Sequence, residues 1–321
     1  MRRAVALVAL LFPAILAAQA PSDTSYADSL AVPGGILRGT LEAPTTPGPW
    51  PAVLFISGSG PTDRDGNSPL LAGRNNSIRY LADALAARGI ASVRYDKRGI
   101  AASNGFAVRE ADLRFDDYVG DAAAWIRALK ADRRFRSVTV VGHSEGSLVG
   151  MLAAPMAGAD AFVSIAGAGR PIARVLHEQL APQLPPDLLR QADSIMARLG
   201  RGERVDSVPP KLWMLYRQSV QGYLISWMRH DPARDVAALK IPVLIAQGTT
   251  DIQVDTLDAR LLAAADPAAR LLLIPGMNHV LKMVPADRAA QVASYGDPAL
   301  PVAPALVDGI ATLVLGLGRV P

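Results

Sequence analysis

Cysteine is missing from this chain of 321 residues, and charged residues are few. Without cysteine there is no disulfide framework, no thiol chemistry and no thiol for lipid attachment behind a leader segment. Half of the residues are apolar and 19% are charged, a balance that excludes a disordered chain and indicates a large apolar core. The formal net charge is +4, with acidic and basic residues mixed along the chain. We therefore expect no basic face and no nucleic-acid partner.

Long apolar runs are also missing, except at the N-terminus. Residues 1–20 contain two initial arginines, an apolar stretch from Ala4 to Leu16 and the small-x-small sequence Ala18-Gln19-Ala20. These are the three parts of a secretory signal peptide. A membrane anchor is the alternative, but the stretch is shorter than the roughly 20 residues that span a bilayer and contains Pro13. We expect cleavage after Ala20 and a periplasmic or secreted mature chain without a stable membrane anchor.

Strand and helix patterns alternate through most of the chain. Residues 51–57 form a continuous apolar run, as in a strand buried on both faces. Residues 76–89 follow with helical spacing and a terminal glycine. The alternation continues to a closing helix around residues 305–316, and Pro33-Gly34-Gly35 indicates a hairpin at the edge of a sheet. This order predicts an α/β fold: a mostly parallel sheet with helices on both faces.

One segment, residues 170–235, interrupts the alternation with several helical stretches and no convincing strand. We interpret it as a helical cap insertion that divides one core into two parts, residues 21–169 and 236–321. Aromatic side chains in the cap form either its own small core or the lining of a substrate pocket. The candidates for substrate binding are Trp213, Tyr216 and Trp227.

The pentapeptide Gly-His-Ser-Glu-Gly, residues 142–146, lies directly between a β-branched run and a small apolar helix pattern. A G-x-S-x-G sequence alone is weak evidence, but this strand–turn–helix context is that of a nucleophile elbow. Glycines at both ends leave room for backbone that passes close by, and the following helix directs its N-terminus toward developing negative charge. Ser144 is the predicted nucleophile.

A serine nucleophile needs a base, and the base needs an orienting acid. The base is expected to be His279, on the loop after the last clear strand. Asp251 follows the preceding strand and is the expected acid, whereas Asp255, closer to the next helix, is the competing candidate. The chain order Ser–Asp–His is the one found in α/β-hydrolases. The predicted fold class is therefore the α/β-hydrolase fold with a helical cap.

The other three histidines are assigned no catalytic role. His143 lies in the elbow itself and is expected to point away from the nucleophile, as a structural residue. His177 and His230 fall in the cap.

An oxyanion hole should complete the site. One donor is expected to be the backbone N–H of Glu145, and the second the N–H of Ser59, with Gly60 as the alternative. The same loop has the spacing Asp63-x-Asp65-x-Asn67 of a calcium site, but glycine is at the fourth position and no glutamate at the twelfth. We predict neither a metal nor a cofactor.

Five segments together resemble a known family. They are ISGSGPTDRDGN, RYDKRGIAAS, GHSEG, DPARDVAALKIPVLIAQGTTDIQV and PGMNHVLK. In this order they are similar to bacterial α/β-hydrolase carboxylesterases related to serine aminopeptidase-like hydrolases, over most of residues 36–290. The resemblance implies the same triad and a helical cap between the sixth and seventh strands. Members often have a second glycine where this chain has Ala101, and we interpret Asp96 and Arg98 as loop structure.

These residues predict an enzyme that hydrolyses small-molecule carboxylic esters with a serine nucleophile and prefers short acyl chains. An exopeptidase is the alternative, and it would need an acidic anchor in the cap, for which the candidates are Glu178, Asp187, Asp193 and Glu203. A thioesterase is disfavoured outside the cytoplasm, where acyl-CoA is absent. A binding protein on a retired hydrolase scaffold is the rival from another class, but such a protein is expected to lack a triad residue. The residues leave the oligomeric state open.

Overall fold

In the computed structural model, residues 24–106 and 109–317 are described. The predicted signal peptide and its cleavage site after Ala20 lie outside these ranges. Within them, no helix combines the length and the apolar character needed to cross a bilayer.

The described part of the chain contains one sheet of eight strands, in the spatial order β1-β2-β4-β3-β5-β6-β7-β8. The first two strands form the predicted edge hairpin, β2 pairs antiparallel with β4, and the pairs from β4 to β8 are parallel. The strands are β1 (Ser25–Val32), β2 (Gly35–Glu42), β3 (Trp50–Ile56), β4 (Ala91–Tyr95), β5 (Phe135–His143), β6 (Ala161–Ile165), β7 (Val243–Gly248) and β8 (Arg270–Ile274).

Helices lie between the parallel strands and, in the case of the last two, after β8. They are α1 (Ser77–Ala86), α2 (Phe115–Ala131), α3 (Glu145–Ala157), α4 (Ile172–Leu180), α5 (Pro186–Gly200), α6 (Trp213–Tyr216), α7 (Gln218–Trp227), α8 (Pro232–Ala237), α9 (Thr256–Ala265), α10 (Arg288–Ser294) and α11 (Pro304–Gly316).

The sheet has an apolar core on each face, because successive side chains of a strand point to opposite sides. In β3, Leu54 and Ile56 join a cluster with residues of α2, α3 and α9. Their neighbours Val53 and Phe55 join a second cluster with residues of α1 and α11. A strand buried on both faces reads as a continuous apolar run, which is the pattern of residues 51–57. The α/β-hydrolase fold predicted from the sequence is confirmed.

Helices α4 to α8 lie between β6 and β7. An apolar cluster within this segment includes Leu188, Ile195, Leu212 and Tyr216, whereas Val236 of α8 belongs to the cluster of the sheet. The assignment of these helices as a cap with boundaries at residues 170 and 235 stays a prediction.

Several contacts attach these helices to the rest of the molecule, and two of them involve buried groups. The Arg170 guanidinium binds the buried Asp258 carboxylate of α9 at 2.9 and 2.7 Å. The amide of Phe115, in α2, donates to Ser226 Oγ at 2.8 Å. These helices are thereby joined to α2 and α9.

Candidate active site

Ser144 lies at the turn between β5 and α3 with φ 55° and ψ −122°, a backbone conformation that is strained for a residue with a side chain. The turn depends on its two glycines. A Cβ at Gly142 would lie 2.1 Å from the carbonyl oxygen of Gly146, and a Cβ at Gly146 would lie 2.3 Å from that of Ile56. Neither position has room for a side chain, so the sharp corner that presents Ser144 requires both glycines.

His279 lies on the loop after β8 and is almost fully buried. Its Nδ1 lies 2.8 Å from Oδ2 of Asp251, in the loop after β7. Oδ1 of that carboxylate accepts the amides of Gln253 and Val254 at 2.7 and 3.0 Å, and Oδ2 accepts the side-chain amide of Gln247 at 3.1 Å. Burial raises the pKa of Asp251, but the charge and hydrogen bond of His279 and the two backbone amides outweigh it and lower the pKa below its usual value. The acid is held ionised against the ring.

The competing candidates have other partners. Asp255 caps α9, since its Oδ1 accepts the amide of Leu257 at 2.8 Å. His177 pairs with Asp193 at 2.7 Å between α4 and α5, and the Nε2 of His230 lies 3.3 Å from Asp116 of α2. The acid that lies against His279 is therefore Asp251.

His143 connects the elbow to the loop of the predicted base. Its Nε2 donates to the carbonyl oxygen of His279 at 2.8 Å, and the two rings lie 4.8 Å apart. Burial, and then the proximity of His279, lower the pKa of His143 to about 3, so its ring is neutral. Because the residue next to Ser144 binds the backbone of His279, the position of the loop after β8 is fixed relative to the elbow. The sequence did not suggest this contact, since the residues are 136 positions apart.

The loop after β3 lies beside the nucleophile. A Cβ at Gly58 would lie 3.2 Å from Ser144 Cβ. Within the described residues, neither the amide of Ser59 nor that of Glu145 has a hydrogen-bond acceptor. Both predicted oxyanion donors are thus free to bind a ligand. Gly60, the alternative donor, is exposed with φ 67°.

The calcium-like spacing in this loop is used for internal hydrogen bonds. Oδ1 of Asp63 accepts the amides of Asp65 and Asn67 at 2.9 and 2.8 Å, and Oδ1 of Asp65 accepts Nε of Arg94 at 2.7 Å. In the ranges that the structure describes, no group of three or more His, Asp and Glu side chains is placed to hold a metal.

A buried ion pair that the sequence analysis missed lies between this loop and the elbow. Lys97, the second residue after β4, is 1% exposed. Its Nζ donates to the carbonyl oxygen of Gly58, lies 3.6 Å from Oε1 of Glu145 and is 5.2 Å from the centre of the Tyr118 ring. Burial lowers the pKa of Lys97, and the negative charge of Glu145 opposes that shift. One signal of this ion pair was available in the sequence, a lysine that closely follows a strand of buried residues.

The neighbours of Lys97 hold the surrounding loops. Asp96 binds the Arg64 guanidinium of the loop after β3 at 2.7 Å, and Arg98 binds Asp121 of α2 at 2.7 Å. Ala101 has φ 45°, in the left-handed region that glycine adopts without strain. Ala101 therefore has a backbone conformation that a glycine at this position would adopt without strain.

The structure places the three aromatic candidates of the cap in different surroundings. Tyr216 is fully buried within the apolar cluster of the cap. Trp227 stacks on Phe115 of α2 at 5.5 Å between ring centres, and Trp213 is half exposed with the Arg217 guanidinium over its ring. No contact of these side chains with Ser144 or His279 is found in the described residues, so their role in substrate binding stays a prediction.

A cleft of about 350 Å³ opens between α4 and the loop after β7. Its lining includes Arg170, Glu178, Gln179 and Asp251 but neither Ser144 nor His279. It therefore gives no support to a particular acyl pocket.

The sheet order, the elbow at the end of β5 and the acid–histidine pair on later loops define an α/β-hydrolase. The model of the family described as "Serine aminopeptidase, S33" matches residues 72–283, which is more than half of the chain. The chain belongs to this family.

Esterases are among the similar proteins. Esterase EstD of Thermotoga maritima is 28% identical over 249 residues, a match that covers 76% of this chain and only 58% of EstD. A structure of Est1E from Butyrivibrio proteoclasticus with ferulic acid bound has 20% identity and a TM-score of 0.57, over 83% of this chain and 94% of Est1E. The 2,6-dihydroxy-pseudo-oxynicotine hydrolase has 17% identity and a TM-score of 0.55, over 91% of this chain and 68% of that one. At these identities the structural likeness shows the fold alone.

Proposed function

We propose that this chain is an exported serine carboxylesterase that cleaves small esters of short acyl chains through an acyl-enzyme. The observation that carries this proposal is the contact of 2.8 Å between His279 and Asp251, on a loop that is hydrogen-bonded to the elbow of Ser144. The esterase name of EstD supports it, as a likeness.

In the proposed reaction, Ser144 Oγ attacks the ester carbonyl carbon while Nε2 of His279 takes the hydroxyl proton. Asp251 keeps the ring in the tautomer that has its proton on Nδ1 and stabilises the imidazolium that forms. The amides of Ser59 and Glu145 bind the oxyanion. The imidazolium returns the proton to the leaving alcohol, and a water activated by the same ring then releases the acid.

The second candidate, an exopeptidase, follows from the description of the family. It needs an unpaired carboxylate for the substrate ammonium. Three of the four cap acids have partners: Glu178 pairs with Arg170 at 2.5 Å and Glu203 with Arg201 at 2.8 Å, and Asp193 is hydrogen-bonded to His177 at 2.7 Å. Glu145, beside the nucleophile, is paired with Lys97. Asp187, which is exposed in the first turn of α5, has no ion-pair partner among the described residues and is the remaining candidate. The pairing favours the esterase.

A substrate panel tests this choice. Purified mature chain is assayed with aryl esters of increasing acyl length and with aminoacyl arylamides, beside the Ser144→Ala variant. We expect ester turnover, a fall in kcat of about 10³-fold or more in the variant, and covalent labelling of Ser144 by a fluorophosphonate. Preferential turnover of arylamides would make the chain an exopeptidase. Labelling of another serine would overturn the assignment of Ser144 as the nucleophile. Turnover of neither the esters nor the arylamides would favour a binding protein.

The acyl preference is proposed from the cap. A helical insertion with an apolar cluster of its own favours a closed cleft over a broad apolar surface. We expect kcat/KM to rise for acyl chains of roughly two to eight carbons, by about 0.8 kcal/mol or about fourfold per buried methylene, and then to level off. A steady rise to long-chain emulsified esters would contradict this.

Export is proposed from residues 1–20 alone. N-terminal sequencing of the protein from its native host should find Pro21 at the start, in a fraction outside the cytoplasm. Met1 in a cytosolic fraction would contradict export without affecting the proposed chemistry.

A further inference from the structure

The buried ammonium of Lys97 has no role in the reaction described so far. It lies between two segments that the proposed reaction uses, the loop after β3 and the first residue of α3. Its Nζ donates to Gly58 O and faces Glu145 Oε1 at 3.6 Å. An ammonium is strongly hydrated, so its burial is unfavourable unless the protein supplies both an opposite charge and acceptors. Here these partners belong to the two residues that flank or carry the predicted oxyanion donors.

The acceptor of Lys97 and one predicted donor belong to the same peptide unit. In a planar trans peptide the carbonyl bond and the N–H bond point in opposite directions. When Lys97 holds the Gly58 carbonyl on the interior side, the amide of Ser59 must point to the other side. This peptide lies beside the nucleophile, since a Cβ at Gly58 would lie 3.2 Å from Ser144 Cβ, and no acceptor for the Ser59 amide is found in the described residues.

The same ammonium also faces the side chain of the residue that supplies the second donor. Glu145 is 7% exposed and supplies the other free amide, at the start of α3. Its carboxylate compensates the charge of Lys97, so one ion pair spans both halves of the predicted oxyanion hole. A cation on the Gly58 carbonyl also polarises that peptide, which makes its N–H a stronger donor.

We propose that Lys97 is a positioning residue, which orients and polarises the Gly58–Ser59 peptide through its carbonyl so that the Ser59 amide stabilises the oxyanion. Glu145 holds Lys97 in place and keeps the site neutral. This inference rests on the proposed esterase function, and it concerns only the oxyanion hole, not the nucleophile or the base.

The test compares an ester with its thionoester in the Lys97→Met variant. Sulfur accepts hydrogen bonds weakly, so a thionoester gains little from the oxyanion hole. We expect kcat for an aryl butyrate to fall about 100-fold, as on loss of one oxyanion donor, with KM within about threefold. The matching thionobutyrate should fall less than about fivefold. The inhibition constant of a trifluoromethyl ketone, whose adduct carries an oxyanion, should rise with the loss in kcat.

Lys282→Met is the matched control. Lys282 is also fully buried, donates to the Leu300 carbonyl at 2.5 Å and lies 4.6 Å from the centre of the Tyr80 ring. Among the described residues, no hydrogen bond or ion pair joins its ammonium to the loop after β3. We expect a similar loss of stability with an ester-to-thionoester ratio within about twofold of wild type. If Lys97→Met does not fold, the ratio is measured in Lys97→Met/Glu145→Gln, which leaves neither charge buried alone.

The outcomes separate the two proposals. An equal fall for ester and thionoester, or an ester rate that is unchanged in a folded Lys97 variant, would overturn the positioning role while the esterase proposal stands. A wild-type protein that turns over neither compound and is not labelled at Ser144 would overturn the esterase proposal itself.

Discussion

Replacing Asp251 by asparagine should disable the base without removing it. Oδ1 of Asp251 accepts two backbone amides, from Gln253 and Val254, so the asparagine must keep its carbonyl oxygen there. Its NH₂ group then faces His279 Nδ1 and the side-chain amide of Gln247, which lie 2.8 and 3.1 Å from Oδ2 in the native chain. Hydrogen-bond donors would then face one another, with no acceptor between them. The ring can avoid this only by moving its proton to Nε2, and Nε2 then has no lone pair for the serine proton.

In serine hydrolases this change of tautomer lowers kcat by about 10⁴-fold, which corresponds to about 5.5 kcal/mol of transition-state free energy. We expect a loss of about 10³ to 10⁴ in kcat for Asp251→Asn with an aryl ester, and slower phosphonylation of Ser144 by the same factor. KM should change little, because the carboxylate does not contact substrate.

Asp255→Asn is the matched control. Asparagine caps a helix as well as aspartate, so the bond to the Leu257 amide, 2.8 Å in the native chain, is kept. We expect activity within about threefold of wild type and the free energy of unfolding within about 0.5 kcal/mol. If Asp255→Asn lost activity by orders of magnitude while Asp251→Asn lost less than tenfold, the assignment of the acid would be wrong.

Three further results are expected. Gly146→Ala should destabilise the fold by about 3 kcal/mol or more in urea unfolding, because its Cβ would lie 2.3 Å from a backbone oxygen, whereas Gly120→Ala, in open space on α2, should not; equal effects would contradict the need for glycine at the elbow. The pKa of His143 is lowered to about 3 from 6.5, so the unfolded chain binds the proton first, and the stability from this group is lost as pH falls from about 6.5 toward 3, by at most about 2 kcal/mol at pH 5. His143→Gln, which keeps a donor for the His279 carbonyl, should flatten the stability curve between pH 7 and 5, and an unchanged slope would refute this source. Trp213→Ala and Trp227→Ala should alter the relative kcat/KM of short acyl esters, while Trp50→Ala, outside the cap, should not; a change in stability alone would make the cap aromatics core residues.

Most of the fold could be predicted from local patterns. The apolar run of residues 51–57 and the helix over residues 76–89 correspond to β3 and α1, because a strand buried on both faces and an amphipathic helix have periodicities that a short window contains. The predicted hairpin around Gly34 is present for the same reason. Helix α10 was not anticipated, although its Gln291 and Ser294 side chains are buried against the loop of His279. Its seven residues are too few for a periodic pattern.

The candidate site also has a part that local sequence patterns predict and a part that they do not. The sequence alone determined which residues are the candidates for the chemistry, since Ser144, Asp251 and His279 each follow a recognisable strand, and the parallel strands of one sheet end at the same edge. Only the tertiary structure decided what holds them. The bond of His143 to the His279 backbone and the contacts of Lys97 with Gly58 and Glu145 join segments that are distant in the chain. No local pattern encodes such pairs, because a buried lysine or histidine is stabilised by whatever partner the folded chain brings to it.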